Sequence, residues 1–173
     1  MKLVWLRHAL RLCLFLWVVQ GYSQTPDHDP NRVYEAFALA YLDMNASNID
    51  QLYVEDAVLL NLYDSSNPSS ISGNKEIANY FSEMFARFGK TGQKLELTFK
   101  IIDRKKIEDT ILDNGFYALT IHGDDQEKRV SYGKLSTILK LEQEGWKFMI
   151  DANSNTDESE YQNAEGNEIP RPH

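Results

Sequence analysis

Cysteine is almost missing: the 173-residue chain has one, Cys13. A single thiol excludes an intrachain disulfide framework and a cysteine-based zinc cluster. Basic charge is scarce as well, with 18 Lys and Arg against 26 Asp and Glu and a formal net charge of −8. A nucleic-acid binder needs a basic face to neutralise phosphates, so no nucleic-acid partner is expected. The chain has no Gly-rich phosphate loop, no Gly-x-Ser-x-Gly elbow and no His-Glu-x-x-His element. Its apolar run, Leu12 to Val19, falls short of the roughly 20 residues of a spanning helix. What is present is ordinary: 42% hydrophobic and 12% aromatic residues. That suffices for one domain with a core that needs no staples.

Residues 1–23 read as a secretory signal rather than as part of the fold. Lys2, Arg7 and Arg11 stand without an acid, the apolar run follows, and Gly21 and Ser23 are small residues ahead of a cleavage site after Ser23. The expectation is a secreted or periplasmic protein with no membrane contact after cleavage. Cleavage removes three of 18 basic residues and no acid, so the remaining charge is 15 − 26 = −11. The one Cys leaves with the signal. Residues 24–30 read as a flexible leader, and its Asp27-His28-Asp29 has no further ligand spacing that would make a metal site.

From Asn31 the spacing predicts a helix, with Val33, Phe37, Tyr41 and Met44 on one face. It should end near 45–48, before a short helix over 49–53. A strand is expected over 57–63, then a Ser/Asn/Pro-rich loop. A second helix is predicted over 74–88, with Ile77, Tyr80, Phe81, Met84, Phe85 and Phe88 on its apolar face and Gly89 as its stop. Strands are expected over 94–102, 116–122, 130–142 and 146–152, from short apolar or alternating runs. Residues 155–173, acidic and polar, read as a disordered tail. Helices first and strands later give an α+β class with helices on one face of a curved sheet.

Three stretches carry a resemblance to a known family: NASNIDQLYVEDAVLL, ISGNKEIANYF and TILKLEQEGWKFMIDANS. Together they resemble the nuclear transport factor 2-like superfamily, near its SnoaL-like and ketosteroid-isomerase-like branch. The likeness covers about residues 31–154. It implies a cone: a bent antiparallel sheet wrapped around a long helix, a cystatin-like α+β barrel open at one end. It also implies a homodimer through the outer sheet face. No cofactor is implied.

The same resemblance allows a test of chemistry. An isomerase of this kind needs a carboxylate base and two hydrogen-bonding acids at the developing enolate. The base position falls on Asn61, which cannot take a proton. The tyrosine position falls near Ala40, beside Tyr41, and the second acid falls near Ser136. All three roles are therefore unfilled. Some relatives close on Trp-x-x-x-x-Asp-His-x-Ser; here Trp146, Asp151 and Ser154 stand, but Ala152 replaces the His. Simple alternation puts Asp151 on the opposite face from Trp146, Phe148 and Ile150, unless a bulge resets the parity. His122 reads as a residue beside a turn, Asp56 as a brace at a strand start, and Arg104-Lys105-Lys106 as a solvated strand end.

The expected pocket residues are Tyr41, Asn61, Tyr132, Ser136 and Trp146, with no catalytic residue and no metal ligand assigned. The function expected is binding of a small apolar or amphipathic ligand in the cone. The alternatives are a lyase or isomerase with a relocated site, using Tyr41, Tyr132 or Asp56, and a dimeric interaction module with no ligand.

Overall fold

The structure is a computed structural model that describes residues 29–63, 68–123 and 127–170. The signal and residues 24–28 of the leader lie outside the described residues. Helix α1 spans Asn31–Leu42 and a 3₁₀ turn Ile49–Leu52 follows. Strands β1 (Tyr53–Asn61) and β2 (Ser69–Ser72) precede helix α2 (Asn74–Lys90). Strands β3 (Lys94–Ile107), β4 (Thr110–His122), β5 (Lys128–Glu142) and β6 (Gly145–Thr156) come next, then helix α3 (Glu158–Asn163) and a short β7 (Asn167–Glu168).

The strands form one sheet in the order β2-β1-β6-β5-β4-β3-β7. Only β1 and β6 run parallel; the other pairs are antiparallel. This is the α+β class that the sequence predicts. The β1–β6 pairing is irregular between Tyr53 and Val58, and two bulges in the antiparallel pairs bend the sheet. In β3 the pairing skips Ile102, between Ile101↔Gly115 and Asp103↔Asn114. In β6 it skips Met149, between Phe148↔Leu139 and Ile150↔Ile138. A bulge increases local twist and re-aims the side chains that follow it. Gly115 permits the closest approach at the first bend, because a Cβ there would sit 2.2 Å from the Lys100 carbonyl oxygen.

Both long helices pack on the concave face, α1 against β3 and β6 and α2 against β1. The reason lies in their apolar spacing. Val33, Phe37 and Tyr41 form the buried face of α1, and Ile77, Phe81 and Phe85 that of α2. The two faces meet edge to face, with Phe37 and Phe81 5.2 Å apart and Tyr41 and Phe85 5.1 Å apart. Gly89 does not stop α2, which runs one residue further to Lys90. Arg87 and Lys90 in its last turn suit the negative end of the helix dipole.

The strands are longer than alternation alone predicts. β3 and β4 extend to a tight turn at Glu108-Asp109, with Glu108 at φ 54. The polar stretch between them is paired backbone rather than loop.

The C-terminal segment corrects the expected disordered tail. Asp157 caps α3 by accepting from the Glu160 backbone N–H. Helix α3 then lies on the outer face of β4 and β5, where Tyr161 meets Phe116 and Tyr132 at ring distances of 6.2 and 4.9 Å. Lys100 Nζ donates to the Tyr161 carbonyl at 3.0 Å and lies 4.3 Å from the Tyr161 ring centre. Strand β7 pairs with β3, and Ile169 joins the main core. Composition missed this because one ring and one Ile anchor an otherwise polar stretch. Tyr161→Ala should therefore lower stability by about 2–3 kcal/mol in urea unfolding, as for loss of a buried ring. A change within about 0.5 kcal/mol, the ordinary result at an exposed site, would restore the tail to disorder.

Candidate binding cavity

The concave face encloses a cavity of about 270 Å³ between α1, α2 and the inner sides of β3 to β6. Aromatic residues make half of its lining. Phe37 and Tyr41 come from α1, Tyr80 and Phe81 from α2, Phe99 from β3, Tyr117 from β4 and Phe148 from β6. Tyr63 stands near the rim, 46% exposed, and its hydroxyl accepts from Tyr117 at 3.2 Å. Gly133 lets the Tyr117 ring lie flat on β5; a Cβ there would meet the ring at 2.1 Å.

Beneath the rings lies a paired acid. Asp113, fully buried, takes two hydrogen bonds from Arg104, Nε to Oδ1 and Nη2 to Oδ2, each 2.8 Å. The Tyr34 hydroxyl donates to Oδ2 at 2.8 Å and also meets the Thr137 hydroxyl. Asn31 accepts from Arg104 Nη1 at 2.9 Å. Tyr34 and Thr137 form part of the cavity wall, so the ion pair stands behind them. Bidentate geometry and extra donors are what a buried ion pair needs to offset its desolvation. Burial first, and the negative Asp113 next, push the Tyr34 hydroxyl well above its ordinary pKa. This set is a structural base for the cone. The sequence reading missed it: Arg104 is not a solvated strand end.

A second acid faces the cavity itself. Asp151 is 8% exposed and accepts one hydrogen bond, from the Tyr53 hydroxyl to Oδ2 at 2.7 Å. No hydrogen bond reaches its Oδ1 among the described residues. The bulge at Met149 places it there. Before the bulge, Phe148 points inward; after it, Asp151, Asn153 and Asn155 do, while Ala152 and Ser154 line a shallow groove on the outer face. The parity reset that the sequence left open has taken place. Burial raises the Asp151 carboxyl to about 6, against a smaller lowering by the Tyr53 hydrogen bond. Near it, the Asn153 Oδ1 is buried with no hydrogen-bond partner among the described residues.

The expected pocket residues divide. Tyr41 and Asn61 line the cavity. Tyr41 is 8% exposed, and burial first, then Tyr80, Asp151 and Tyr117, raise its hydroxyl well above the ordinary value. Tyr132 touches the cavity wall, but its ring stacks on Tyr161 and its hydroxyl donates to Glu158 on the outer side. Ser136 is a correction. It is exposed on the outer face and donates to Asn114 at 2.8 Å, while its neighbour Thr137 points inward. Trp146 is also a correction. It is a core residue away from the cavity, beside Val33 and Leu52, with Lys106 Nζ 5.7 Å from its ring centre. His122 is half-exposed and meets Glu96 at 3.3 Å, and Asp56 is exposed and does not line the cavity. Among the described residues no group of three or more His, Cys, Asp or Glu is placed to hold a metal.

Asp151 gives a pH signature. Its folded pKa of about 6 exceeds the ordinary 3.8, so the folded state holds the proton more tightly than the unfolded one. Its contribution to stability is then fully present below pH 4 and is lost as pH rises through the window of about 4 to 6. A shift of this size is worth about 3 kcal/mol. Asp151→Asn keeps an acceptor for Tyr53 and removes the titration. The variant should be more stable than the wild type at pH 7.5, with the gap closing by pH 4. Parallel urea-unfolding profiles for the two proteins across that range would contradict the buried placement.

No family model matches the chain, and no curated protein matches it. Solved structures do resemble it. A nuclear transport factor 2-like protein with a cystatin-like fold from Novosphingobium aromaticivorans superposes with a TM-score of 0.59 at 11% identity, over 76% of this chain and 83% of that one. A candidate dehydratase of the nuclear transport factor 2-like family from Streptomyces avermitilis gives 0.55 at 14% identity, over 73% and 92%. A candidate calcium/calmodulin-dependent protein kinase type II association domain from Thiobacillus denitrificans gives 0.58 at 16% identity, over 74% and 95%. The chain has the nuclear transport factor 2-like fold. Identities this low carry the fold alone, and one fold hosts many chemistries.

Proposed function

We propose that the protein binds a small, mostly apolar ligand inside the cone and does not carry the enolate chemistry of the isomerases it resembles. One observation carries this reading: a cavity of about 270 Å³ with aromatic walls and a few inward polar groups, Asp151, Asn153 and Asn61 among them. That is the general character of a small-molecule site, apolar with sparse orienting groups. Asn61 has no proton-accepting carboxylate at the place where the resemblance would need one. The relocated-enzyme reading loses two of its three residues, because Asp56 is exposed and the Tyr132 hydroxyl faces Glu158. Export belongs to the same proposal, on the strength of residues 1–23 alone. So does pairing of two copies through the outer sheet face, where Leu62 and Ile102 stay exposed along a shallow groove with Phe116 and Ala152.

A neutral one-ring probe tests the binding reading without reference to charge. p-Cresol should raise the melting temperature in a concentration-dependent way, as any ligand of the folded state does. Leu135→Trp, which pushes a larger side chain into the cavity, should abolish the shift. An unchanged melting temperature at millimolar p-cresol, in a protein whose amide spectrum is also unperturbed, would count against an accessible cavity.

A further inference from the structure

The cone holds two buried acids, and they are treated differently. Asp113 has a guanidinium on both oxygens and a tyrosine besides. Asp151 has one tyrosine hydroxyl. No Lys, Arg or His lines the cavity among the described residues. A buried carboxylate without a cation is costly, because nothing in its surroundings offsets the loss of hydration. The groups around Asp151 cannot supply one. The titratable side chains that act on it are Tyr53 from β1, Tyr41 from α1 and Tyr117 from β4, all of them neutral when protonated. From β5 it faces Thr137.

The walls have the complementary character. Tyr41, Tyr80, Phe37, Phe81, Tyr117 and Phe148 surround the same cavity. Aromatic faces carry negative potential and attract cations, most of all where water is excluded. Asn153 Oδ1, buried without a hydrogen-bond partner among the described residues, is a second acceptor in the wall. The chain's net charge of −8 favours approach of cations over anions.

We propose that the ligand of the cone is an organic cation, an amine on an apolar body, with Asp151 as its counter-ion and the tyrosine and phenylalanine rings as its cage. This rests on the binding reading above and narrows it to a ligand class. In the complex the ammonium donates to Asp151 Oδ1 while Tyr53 keeps Oδ2, so the second acid gains what Arg104 gives the first. Anionic ligands of the same shape are excluded by the carboxylate. Neutral ligands bind through the walls alone.

Three probes that differ only in the head group separate these outcomes: 3-phenylpropylamine, 3-phenylpropan-1-ol and 3-phenylpropanoate, titrated by calorimetry into the whole protein at pH 7.5. The amine should bind at least about tenfold more tightly than the alcohol, and the acid should not bind. Asp151→Asn should lower amine affinity about tenfold or more and leave the alcohol within about threefold. Amine affinity should also fall by up to about tenfold per pH unit below the carboxyl's pKa, as the counter-ion is protonated. Equal binding of amine and alcohol, or an amine affinity indifferent to Asp151→Asn, overturns the cation proposal while the binding reading stands. Absence of binding by all three probes overturns both. The Asp151→Asn variant keeps the Tyr53 acceptor, and its folding is checked by the alcohol titration itself.

Discussion

A single extra residue in β6, Met149, decides what the cone contains. Strand side chains alternate, so everything beyond the bulge changes face relative to Trp146 and Phe148. Without it, Asp151 and Asn153 would lie on the outer side and no carboxylate would line the cavity. With it, the one carboxyl of the lining and the Asn153 amide enter a space walled largely by rings and aliphatic side chains. The chemistry open to the fold follows from this one displacement, and so does the penalty that burial places on Asp151.

Two opposite solutions to a buried acid then stand within one core. At Asp113 the fold supplies the cation from its own chain, across a hairpin that brings Arg104 opposite it. At Asp151 it supplies a hydroxyl and aromatic surface. The first arrangement ties α1 to the β3–β4 pair through Tyr34 and Asn31 and is a matter of architecture. The second leaves electrostatic demand directed at the cavity, which is where a ligand can answer it. A protein selected for stability alone gains from an Asn or Leu at such a place, since burying an unpaired charge opposes folding.

Much of this was legible in the chain, and the rest was hidden for definable reasons. The two helices follow from apolar spacing that tertiary packing reinforces, as Phe37, Tyr41, Phe81 and Phe85 show. Asn61 was reached through the resemblance and Tyr41 as a tyrosine suited to gripping an apolar ligand, and both line the cavity. Ser136 failed by one residue, and in a strand one residue is the difference between the outer face and Thr137 on the inner one. Trp146 failed because a large ring at a strand start can fill the core as readily as a pocket. The Arg104–Asp113 pair was invisible because its hairpin turns on Glu108 and Asp109, which carry no Gly or Asn to announce a positive φ. The bulge at Met149 has no side-chain signature at all. The ordered C-terminus was concealed by composition, since Tyr161 and Ile169 are its few apolar anchors.

The account stands or falls on Asp151 being an inward, buried carboxyl beside Tyr53. Carbon-13 NMR of the side-chain carboxyls, with Asp151 assigned by its Asn variant, measures this in the protein without any ligand. The account predicts a titration midpoint near 6 that rises further in Tyr53→Phe, which removes the one hydrogen bond favouring the charged form. A midpoint near the ordinary 3.8, indifferent to Tyr53, would place Asp151 in solvent and contradict it.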